Sequence, residues 1–412
     1  METHEMPPDP ARLSCAPFAL DIHPELPAVQ PALRLHFVDG LRGLAMLMVL
    51  LYHCWLFGGQ WRISVPIGAQ TVNLAAVLGN GHIGVNLFLV LSGFCLYWPF
   101  TKSGRPEPTL WEFAKKRCRR ILPPYYVTLL LFVSLPWIQA LHHHVPFDGR
   151  FTLLWLVTHV FMIHNLRPAY VISVNGSLWS LALEFQLYIL FPVLVEAYRR
   201  VPARMVLLGV FLLCTVYRGF VAWGGFASAD DIGIGDKGGA AVFVLADSVF
   251  GRCFEFALGM FTALMLARWH RTGASPLRRA DFFFVVPICL LSLWPAMTPL
   301  TDSAIGLLFA SLLLAASRPG SLLHRMLSGR VLVNLGIFSY SVYLIHLPLV
   351  IALGAAVERR HLSNAVEVVI QLLFMVPLVL GLGYLFHLLF EKPFMNAPKS
   401  RAPGSDTPPR WV

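Results

Sequence analysis

Charged residues are scarce in this chain. They make up 13% of its 412 residues, while hydrophobic residues make up 57%. A soluble globular chain has about 25% charged residues, so this composition excludes a set of ordinary soluble domains. Because several apolar runs reach the ~18 to 20 residues that span a bilayer, we predict a single polytopic membrane domain.

Cysteine motifs are missing as well. The seven cysteines include no CxxC pair and no spacing typical of metal ligands. Most of them lie in apolar runs, where a thiol behaves as a small hydrophobic side chain. The pattern excludes a disulfide framework and a zinc site, and we therefore predict no permanently bound metal or cofactor.

The two ends of the chain lack the composition of a folded domain. Residues 1–33 are rich in proline and alanine and contain no apolar run of signal-peptide length. We predict that they form a disordered cytoplasmic tail, and residues 397–412 receive the same interpretation. The integral membrane domain is then expected over 34–396.

The formal net charge of +10 is the one feature that suggests nucleic acid. In a membrane chain, however, Lys and Arg gather in the cytoplasmic loops. We therefore predict the lipid bilayer as the partner of most of these cations, and no binding of nucleic acid.

The apolar runs predict an all-α fold with ten membrane-spanning helices. They lie at 41–57, 82–100, 121–139, 178–197, 205–223, 245–267, 282–299, 303–317, 333–354 and 366–389. Residues 151–165 are apolar but short and contain two histidines, and we interpret them as a re-entrant or interfacial segment. If residues 151–165 crossed the membrane, the arginine-rich loops that follow would lie on the outer side, against the positive-inside rule. Ten crossings put both termini on the same side of the membrane. Because most Lys and Arg lie on that side, we predict that it is the cytoplasm and that the membrane is the inner membrane.

Three ionisable residues interrupt the first span, namely Asp39, Arg42 and His53. Ionisable groups inside a span are costly unless they face protein or water, which makes them candidate functional residues. Arg42 and His53 are separated by three helical turns, so they share one face about 16 Å apart. Asp39 lies one turn before Arg42 on a similar side. Such a face predicts a long ligand bound end to end.

Two further groups are predicted at the depth of His53. Glu184 lies about six residues into an inward-running span, about 9 Å below the outer boundary, and His346 lies near a similar level in an outward-running span. We expect the three groups to converge. The alternative for His346 is an interhelical hydrogen bond, and for Glu184 a pairing role that holds two helices together.

The loop between the second and third predicted spans concentrates positive charge. Its cations are Lys102, Arg105, Lys115, Lys116, Arg117, Arg119 and Arg120. One interpretation is a short amphipathic helix that touches anionic lipid. The other is a phosphate site, since guanidinium groups bind phosphate oxygens in pairs. Arg117 and Arg120 share one helical face, and for this pair we favour the phosphate site.

Five sequence blocks occur in an order that is typical of one family. They are DGLRGLAMLMVLLYH, GHIGVNLFLVLSGFCLYWPF, KKRCRRILPPYY, NGSLWSLALEFQLYILFP and LGIFSYSVYLIHLPLV. With them the chain resembles the membrane-bound acyltransferase type 3 family over residues 36–394. Asn86 stands where that family commonly has Asp, and Phe185 replaces the second acid after Glu184.

The resemblance implies a reaction. An acyl group, commonly acetyl, would move from cytosolic acyl-CoA to a hydroxyl of a sugar-containing acceptor, such as a cell-envelope polysaccharide, lipopolysaccharide, peptidoglycan or a glycosylated small molecule. His53 is expected to act as general base or as an acyl relay, because neutral imidazole accepts a hydroxyl proton near neutral pH. The chain carries no appended soluble hydrolase-like domain, so we expect the reaction to finish within the bundle.

Roles for the other candidate residues follow from the same resemblance. Glu184 and Asp39 are the expected catalytic partners of His53. The phosphates of acyl-CoA are expected to bind Arg42, Arg117 and Arg120. The expected substrate contacts are Ser92, Trp179, Tyr343 and His346.

Two functions from other classes remain as alternatives. A proton-coupled transporter or flippase also uses buried Arg, His and Glu, although the sequence has no matching halves with broken helices. A sensory or scaffolding protein needs no buried base. The loop 224–244, with Asp230, Asp231 and Asp236, is a candidate contact for sugar hydroxyls or a solvated loop. The sequence leaves the oligomeric state open.

Overall fold

The computed structural model describes residues 35–58, 64–67, 70–73, 78–101, 109–142, 153–223, 237–273, 299–360 and 363–395. Several predictions fall outside these ranges. They concern both terminal tails, the span at 282–299 apart from its last residue, Lys102 and Arg105 of the basic loop, and Asp230, Asp231 and Asp236.

The described residues form fourteen α-helices and one β-hairpin. The helices are α1 (His36–Phe57), α2 (Gly84–Tyr97), α3 (Leu110–His142), α4 (Leu153–Val160), α5 (Leu178–Arg200), α6 (Ala203–Val221), α7 (Lys237–Ala246), α8 (Val249–Thr272), α9 (Thr301–Ala316), α10 (Leu322–Leu327), α11 (Arg330–Ile337), α12 (Ser339–Glu358), α13 (Asn364–Ile370) and α14 (Val376–Phe386). The hairpin pairs β1 (Ser64–Ile67) with β2 (Gln70–Asn73) in antiparallel register.

The prediction of an all-α polytopic membrane protein is confirmed. Seven helical stretches among the described residues are long and apolar enough to cross a bilayer. They are His36–Phe57, Gly81–Thr101, Leu178–Arg200, Ala203–Val221, Ala241–Thr272, Ser339–Val357 and Val366–Phe394. Helix α9 is a shorter apolar helix, and α3 covers the predicted span at 121–139. The total of ten stays a prediction, because one span lies outside the described residues.

Positive charge is concentrated at one end of the helical bundle. Helix α3 begins there with Lys115, Lys116 and Arg119 exposed, and α5 ends there at Arg199 and Arg200, which are also exposed. We call this the basic end and the other the opposite end. Helix α1 begins at the basic end, so Arg42 lies near it and His53 lies toward the opposite end.

Helix α4 is too short to cross. Its eight residues rise about 12 Å, against a hydrocarbon core of about 30 Å. The chain then turns at Met162, whose carbonyl accepts a hydrogen bond from Gln186 of α5 at 3.1 Å. A second contact joins this segment to α3: the hydroxyl of Tyr125 donates to the carbonyl of His159 at 2.8 Å. The segment therefore turns at Met162 against α3 and α5, and its assignment as a re-entrant or interfacial segment stays a prediction.

The return limb of this segment fixes the depth at which α5 begins. The side chain of Asn175 donates to the carbonyl of Leu344 in α12 at 2.8 Å. The hydroxyl of Ser177 donates to the carbonyl of Tyr343 at 3.3 Å. Helix α5 thus starts level with the first third of α12, inside the bundle. Every residue of α5 is consequently nearer the basic end than it would be if α5 began at the opposite surface.

Helix α1 packs in parallel against α11 and α12. A Cβ atom on Gly43 would overlap the carbonyl oxygen of Leu332, and one on Gly336 would overlap that of Asp39. Because these backbones approach so closely, the register of α1 against α11 is fixed, and with it the register against α12, which follows α11 directly. Further along the same pair, this register brings His53 beside His346.

A second close crossing gives a stability prediction. Gly93 of α2 faces α8 so closely that a Cβ atom would overlap the carbonyl oxygen of Phe256, whereas a Cβ on Gly209 of α6 would meet nothing within 4 Å. We expect Gly93→Ala to lower the unfolding free energy by about 1–3 kcal/mol, the usual cost of overpacking. Thermal unfolding of the purified protein measures it, with Gly209→Ala as the control. Equal midpoints for the two variants would contradict this packing.

Candidate active site

Two histidines form a hydrogen-bonded pair between α1 and α12. Nδ1 of His346 lies 2.9 Å from the carbonyl oxygen of Tyr343, and its Nε2 lies 3.1 Å from Nδ1 of His53. Nδ1 of His53 also lies 3.0 Å from the carbonyl oxygen of Val49. The ring of His346 is buried, at 1% exposure, and His53 is half-buried.

The carbonyl contacts assign the protons of this pair. A carbonyl oxygen only accepts, so Nδ1 of each ring carries the hydrogen. The single hydrogen on Nδ1 of His53 is then shared between the carbonyl oxygen of Val49 and Nε2 of neutral His346, and the lone pair of His53 lies on its Nε2. One imidazole therefore orients the other and leaves a basic nitrogen on His53, which is the arrangement that a general base requires.

A cavity opens from the basic end toward this pair. It contains about 760 Å³ of space not occupied by atoms, including its open mouth. Its lining includes three arginines, Arg42, Arg117 and Arg120, as the sequence predicted for a shared anion site. Arg42 and Arg117 lie close enough to Arg120 to repel it electrostatically. Cations that repel one another around a cavity favour a bound anion there.

Tyr343 and Ser180 lie at the far end of the cavity. Both line it, and the hydroxyl of Tyr343 lies 2.5 Å from that of Ser180. The ring centroid of Tyr343 is 5.4 Å from that of His346. The described residues that line the cavity do not include His53. The cavity therefore ends one aromatic ring away from the histidine pair.

Glu184 lies with the arginines and not with the histidines. It lines the same cavity as Arg42 and accepts hydrogen bonds from Ser92, at 2.7 Å, and from Tyr188. The expected convergence of three groups is thus found for His53 and His346 only. The physical reason is the deep start of α5, which shifts Glu184 toward the basic end.

Asp39 also lies away from the histidine pair. It precedes His53 by fourteen residues of α1, about 21 Å along the axis. Its backbone packs against Gly336, and its charge acts on Arg42 one turn away. The structure therefore places Asp39 beside an arginine of the cavity, at the basic end.

The remaining substrate-binding candidates have separate locations. Ser92 is buried beside Glu184 and also contacts the hydroxyl of Tyr188 at 3.3 Å. Trp179 is half-buried at the start of α5 and packs edge-on against Phe243 of α7, at a centroid distance of 4.9 Å. Of these candidates the cavity lining includes Tyr343.

Several residues of the site were missed by the sequence interpretation. Tyr188 follows Glu184 by one helical turn, and this spacing alone places both on one face. Glu391 is buried and lies 3.6 Å from the guanidinium of Arg120. Its signal was a carboxylate at the end of an apolar run, two residues beyond the predicted last span.

A separate ionic network lies at the opposite end. Arg252 pairs with Glu255 at 3.3 Å and with Asp302, and Arg218 pairs with Asp302 at 2.6 Å. Asn86 donates to Asp302 at 2.9 Å and to Glu255 at 3.4 Å. Here the amide serves as a neutral donor between two carboxylates. In the part of the chain that the structure describes, no group of three or more His, Cys, Asp or Glu is arranged to hold a metal ion.

Comparisons with known proteins identify the family of the chain. The profile of a family described as "Acyltransferase domain" matches residues 35–388. The chain is 26% identical over 399 residues to acyltransferase MdmB of Streptomyces mycarofaciens, which covers 91% of this chain and 95% of that protein. No solved structure matches significantly.

Two further relatives are longer proteins. "Putative peptidoglycan O-acetyltransferase YrhL" of Bacillus subtilis is 28% identical over 395 residues, which is 86% of this chain and 54% of that protein. O-acetyltransferase OatA of Staphylococcus aureus is 24% identical over 203 residues, 47% of this chain and 30% of that protein. The chain thus spans about half of YrhL and less of OatA.

The family profile covers most of the chain, including both histidines and all three cavity arginines. The seven apolar helices described above give the same chain the architecture of an integral membrane protein. The chain therefore belongs to the membrane-bound acyltransferase type 3 family and is an integral membrane acyltransferase.

Proposed function

We propose that this acyltransferase moves an acyl group, with acetyl expected, from cytosolic acyl-CoA to a hydroxyl of a sugar-containing acceptor. One observation carries the proposal. A cavity lined by Arg42, Arg117 and Arg120 leads from the basic end to Tyr343, whose ring contacts that of His346. The ring of Tyr343 thus lies between the anion-binding part of the cavity and the pair formed by His346 and His53.

The arginines support acyl-CoA as the donor. Its nucleotide and pyrophosphate carry several negative charges, and guanidinium groups bind phosphate oxygens through paired, charge-assisted hydrogen bonds. Excess positive charge favours the cytoplasmic side, so the basic end would face the cytosol and its acyl-CoA. In this orientation both termini would be cytoplasmic, and the membrane that we propose is the inner membrane.

His53 supplies the chemistry in one of two routes. In direct transfer, Nε2 accepts the proton of the acceptor hydroxyl while the oxygen attacks the thioester carbonyl, and the CoA thiolate leaves and takes a proton. In the relay, Nε2 attacks the thioester carbonyl and expels the CoA thiolate. The acyl group then passes from Nε2 to the oxygen of the acceptor hydroxyl, whose proton goes to the thiolate, and Nε2 is free again. In both routes His346 orients the ring through Nδ1 of His53.

Glu184 and Asp39 act through charge in this scheme. Both influence Arg42 electrostatically, so they offset part of the positive charge around the donor site. Ser92 fixes the carboxylate of Glu184. Trp179, near α7, is proposed to contact the acceptor, because it lies at the start of α5 and away from the arginines.

The names of two relatives support transfer of acetyl to a hydroxyl oxygen, and the name of one of them supports a sugar-containing acceptor. YrhL is named for peptidoglycan O-acetylation, and OatA is named an O-acetyltransferase. A hydroxyl of a polysaccharide, peptidoglycan, lipopolysaccharide or glycosylated small molecule fits a base placed toward the opposite end, where such an acceptor would approach.

Incubation of the purified protein with radiolabelled acetyl-CoA and candidate acceptors tests the proposal. We expect label to appear on a hydroxyl of one acceptor. Vesicles loaded with acceptor provide the second arm, since movement of acceptor without transfer of label would instead identify a transporter. In cells, deletion of the protein should remove one acyl mass from a single envelope component or metabolite.

A further inference from the structure

Glu391 is a buried carboxylate beside the cavity, and the reaction proposed above assigns it no role. It closes a π-turn, His387–Glu391, at the end of α14, and its side chain is 0% exposed. A widened π-turn frequently marks a functional site. A buried carboxylate is costly unless it is paired and hydrogen-bonded, so the partners of Glu391 indicate its role.

The two oxygens of Glu391 have different surroundings. Oε2 accepts from the hydroxyl of Ser341 at 2.7 Å and from Nδ1 of His387 at 2.8 Å. Oε1 accepts no hydrogen bond from any described residue and lies 3.6 Å from NH2 of Arg120. One oxygen is thus anchored by two elements, and the other is held toward the guanidinium.

Arg120 needs such a counter-charge to stay in the cavity. Its side chain is 30% exposed, so a path to solvent is open to it. Arg42 and Arg117 both repel it. Without an opposing charge, repulsion and hydration would favour a rotamer that points away from the other two arginines.

We propose that Glu391 is a positioning residue that holds the guanidinium of Arg120 in the cavity for an anionic group of the donor. The inference rests on the proposed function, because it assumes that the arginines bind the phosphates of acyl-CoA. Ser341 and His387 act through Glu391 by fixing its second oxygen. The carboxylate keeps its contact with one edge of Arg120 and leaves the remaining N–H donors to the phosphate.

The test is equilibrium binding of radiolabelled acetyl-CoA to the purified full-length protein in nanodiscs. We expect Glu391→Gln to weaken binding by about ten- to a hundredfold, the effect of losing one charge-assisted contact, and Glu391→Asp to restore part of it. In turnover, the change should appear in KM for the donor while kcat is retained. Glu196→Gln is the matched control, because Glu196 pairs with Arg200 at 2.5 Å on the exposed end of α5.

A double-mutant cycle separates positioning from a general structural role. If Glu391 acts through Arg120, Glu391→Gln should have no further effect in the Arg120→Ala background. It should keep a reduced effect in the Arg117→Ala background, because that variant removes one of the two charges that repel Arg120. Additive losses with Arg120→Ala would overturn the inference.

Two outcomes distinguish this inference from the proposed function. If the wild type binds acetyl-CoA and Glu391→Gln binds it equally well, the positioning role is wrong while the donor site stands. If the wild type binds no acetyl-CoA, the proposed donor falls and the inference falls with it. Should Glu391→Gln fail to fold, Ser341→Ala removes one anchor of Oε2 and is expected to weaken binding in the same way. Normal binding by that variant would then count against the role.

Discussion

His53→Ala is expected to abolish acyl transfer while the protein still folds and binds acetyl-CoA. A general base contributes about 10²–10⁴-fold to a rate, and a relay that loses its nucleophile loses the whole covalent route. Donor binding should survive, because the described residues that line the arginine cavity do not include His53. The measurement is kcat for label transfer from acetyl-CoA, together with the dissociation constant of the donor.

His82 provides the control for this experiment. It is exposed, and its ring lies against that of Tyr52, at a centroid distance of 5.5 Å, so it shares a neighbour with His53. We expect His82→Ala to retain most of the activity, which separates loss of the base from loss of any histidine nearby. Normal turnover by His53→Ala would end both routes of the mechanism.

Much of this site follows from helical periodicity in the sequence. The separation of Arg42 from His53 places them on one face of α1, and the structure shows the first lining the cavity and the second in the histidine pair. The spacing of Arg117 and Arg120 likewise places both in one cavity. Such inferences hold because a helix fixes direction and rise from residue to residue.

Depth is what the sequence left undetermined. The prediction for Glu184 assumed that α5 begins at the membrane surface, but the contacts of Asn175 with Leu344 place that start inside the bundle. The apolar run itself has the same composition in either case. Only the tertiary contacts of the segment before α5 determine the depth at which α5 starts.

Span boundaries explain the other omission. The predicted last span ends at 389, so Glu391 falls outside it and is not among the predicted site residues. In the structure the π-turn His387–Glu391 continues the helix and buries the carboxylate against Arg120. A π-turn has no reliable signature in composition, and its partner on α3 is distant in sequence.

The paired variant Arg117→Ala with Arg120→Ala is expected to raise KM for acetyl-CoA by about a hundredfold or more. Each charge-assisted hydrogen bond to a phosphate contributes about 1.5–3 kcal/mol, and about 1.4 kcal/mol corresponds to a factor of ten. At saturating donor, kcat should change little, because these groups lie at the basic end and the base lies beyond Tyr343. Initial rates of label transfer over a range of acetyl-CoA concentrations measure both constants.

Lys115→Ala with Lys116→Ala is the matched control for that result. Both lysines are exposed on the same helix, α3, and the pair removes the same formal charge as the arginine pair. A general electrostatic attraction of the donor to the basic end would make the two double variants equally weak and would disappear at high salt. If the cavity arginines bind phosphate directly, KM for acetyl-CoA should rise strongly in the arginine double variant and only slightly in the lysine double variant. An unchanged KM in the arginine variant would rule out these side chains as the phosphate site.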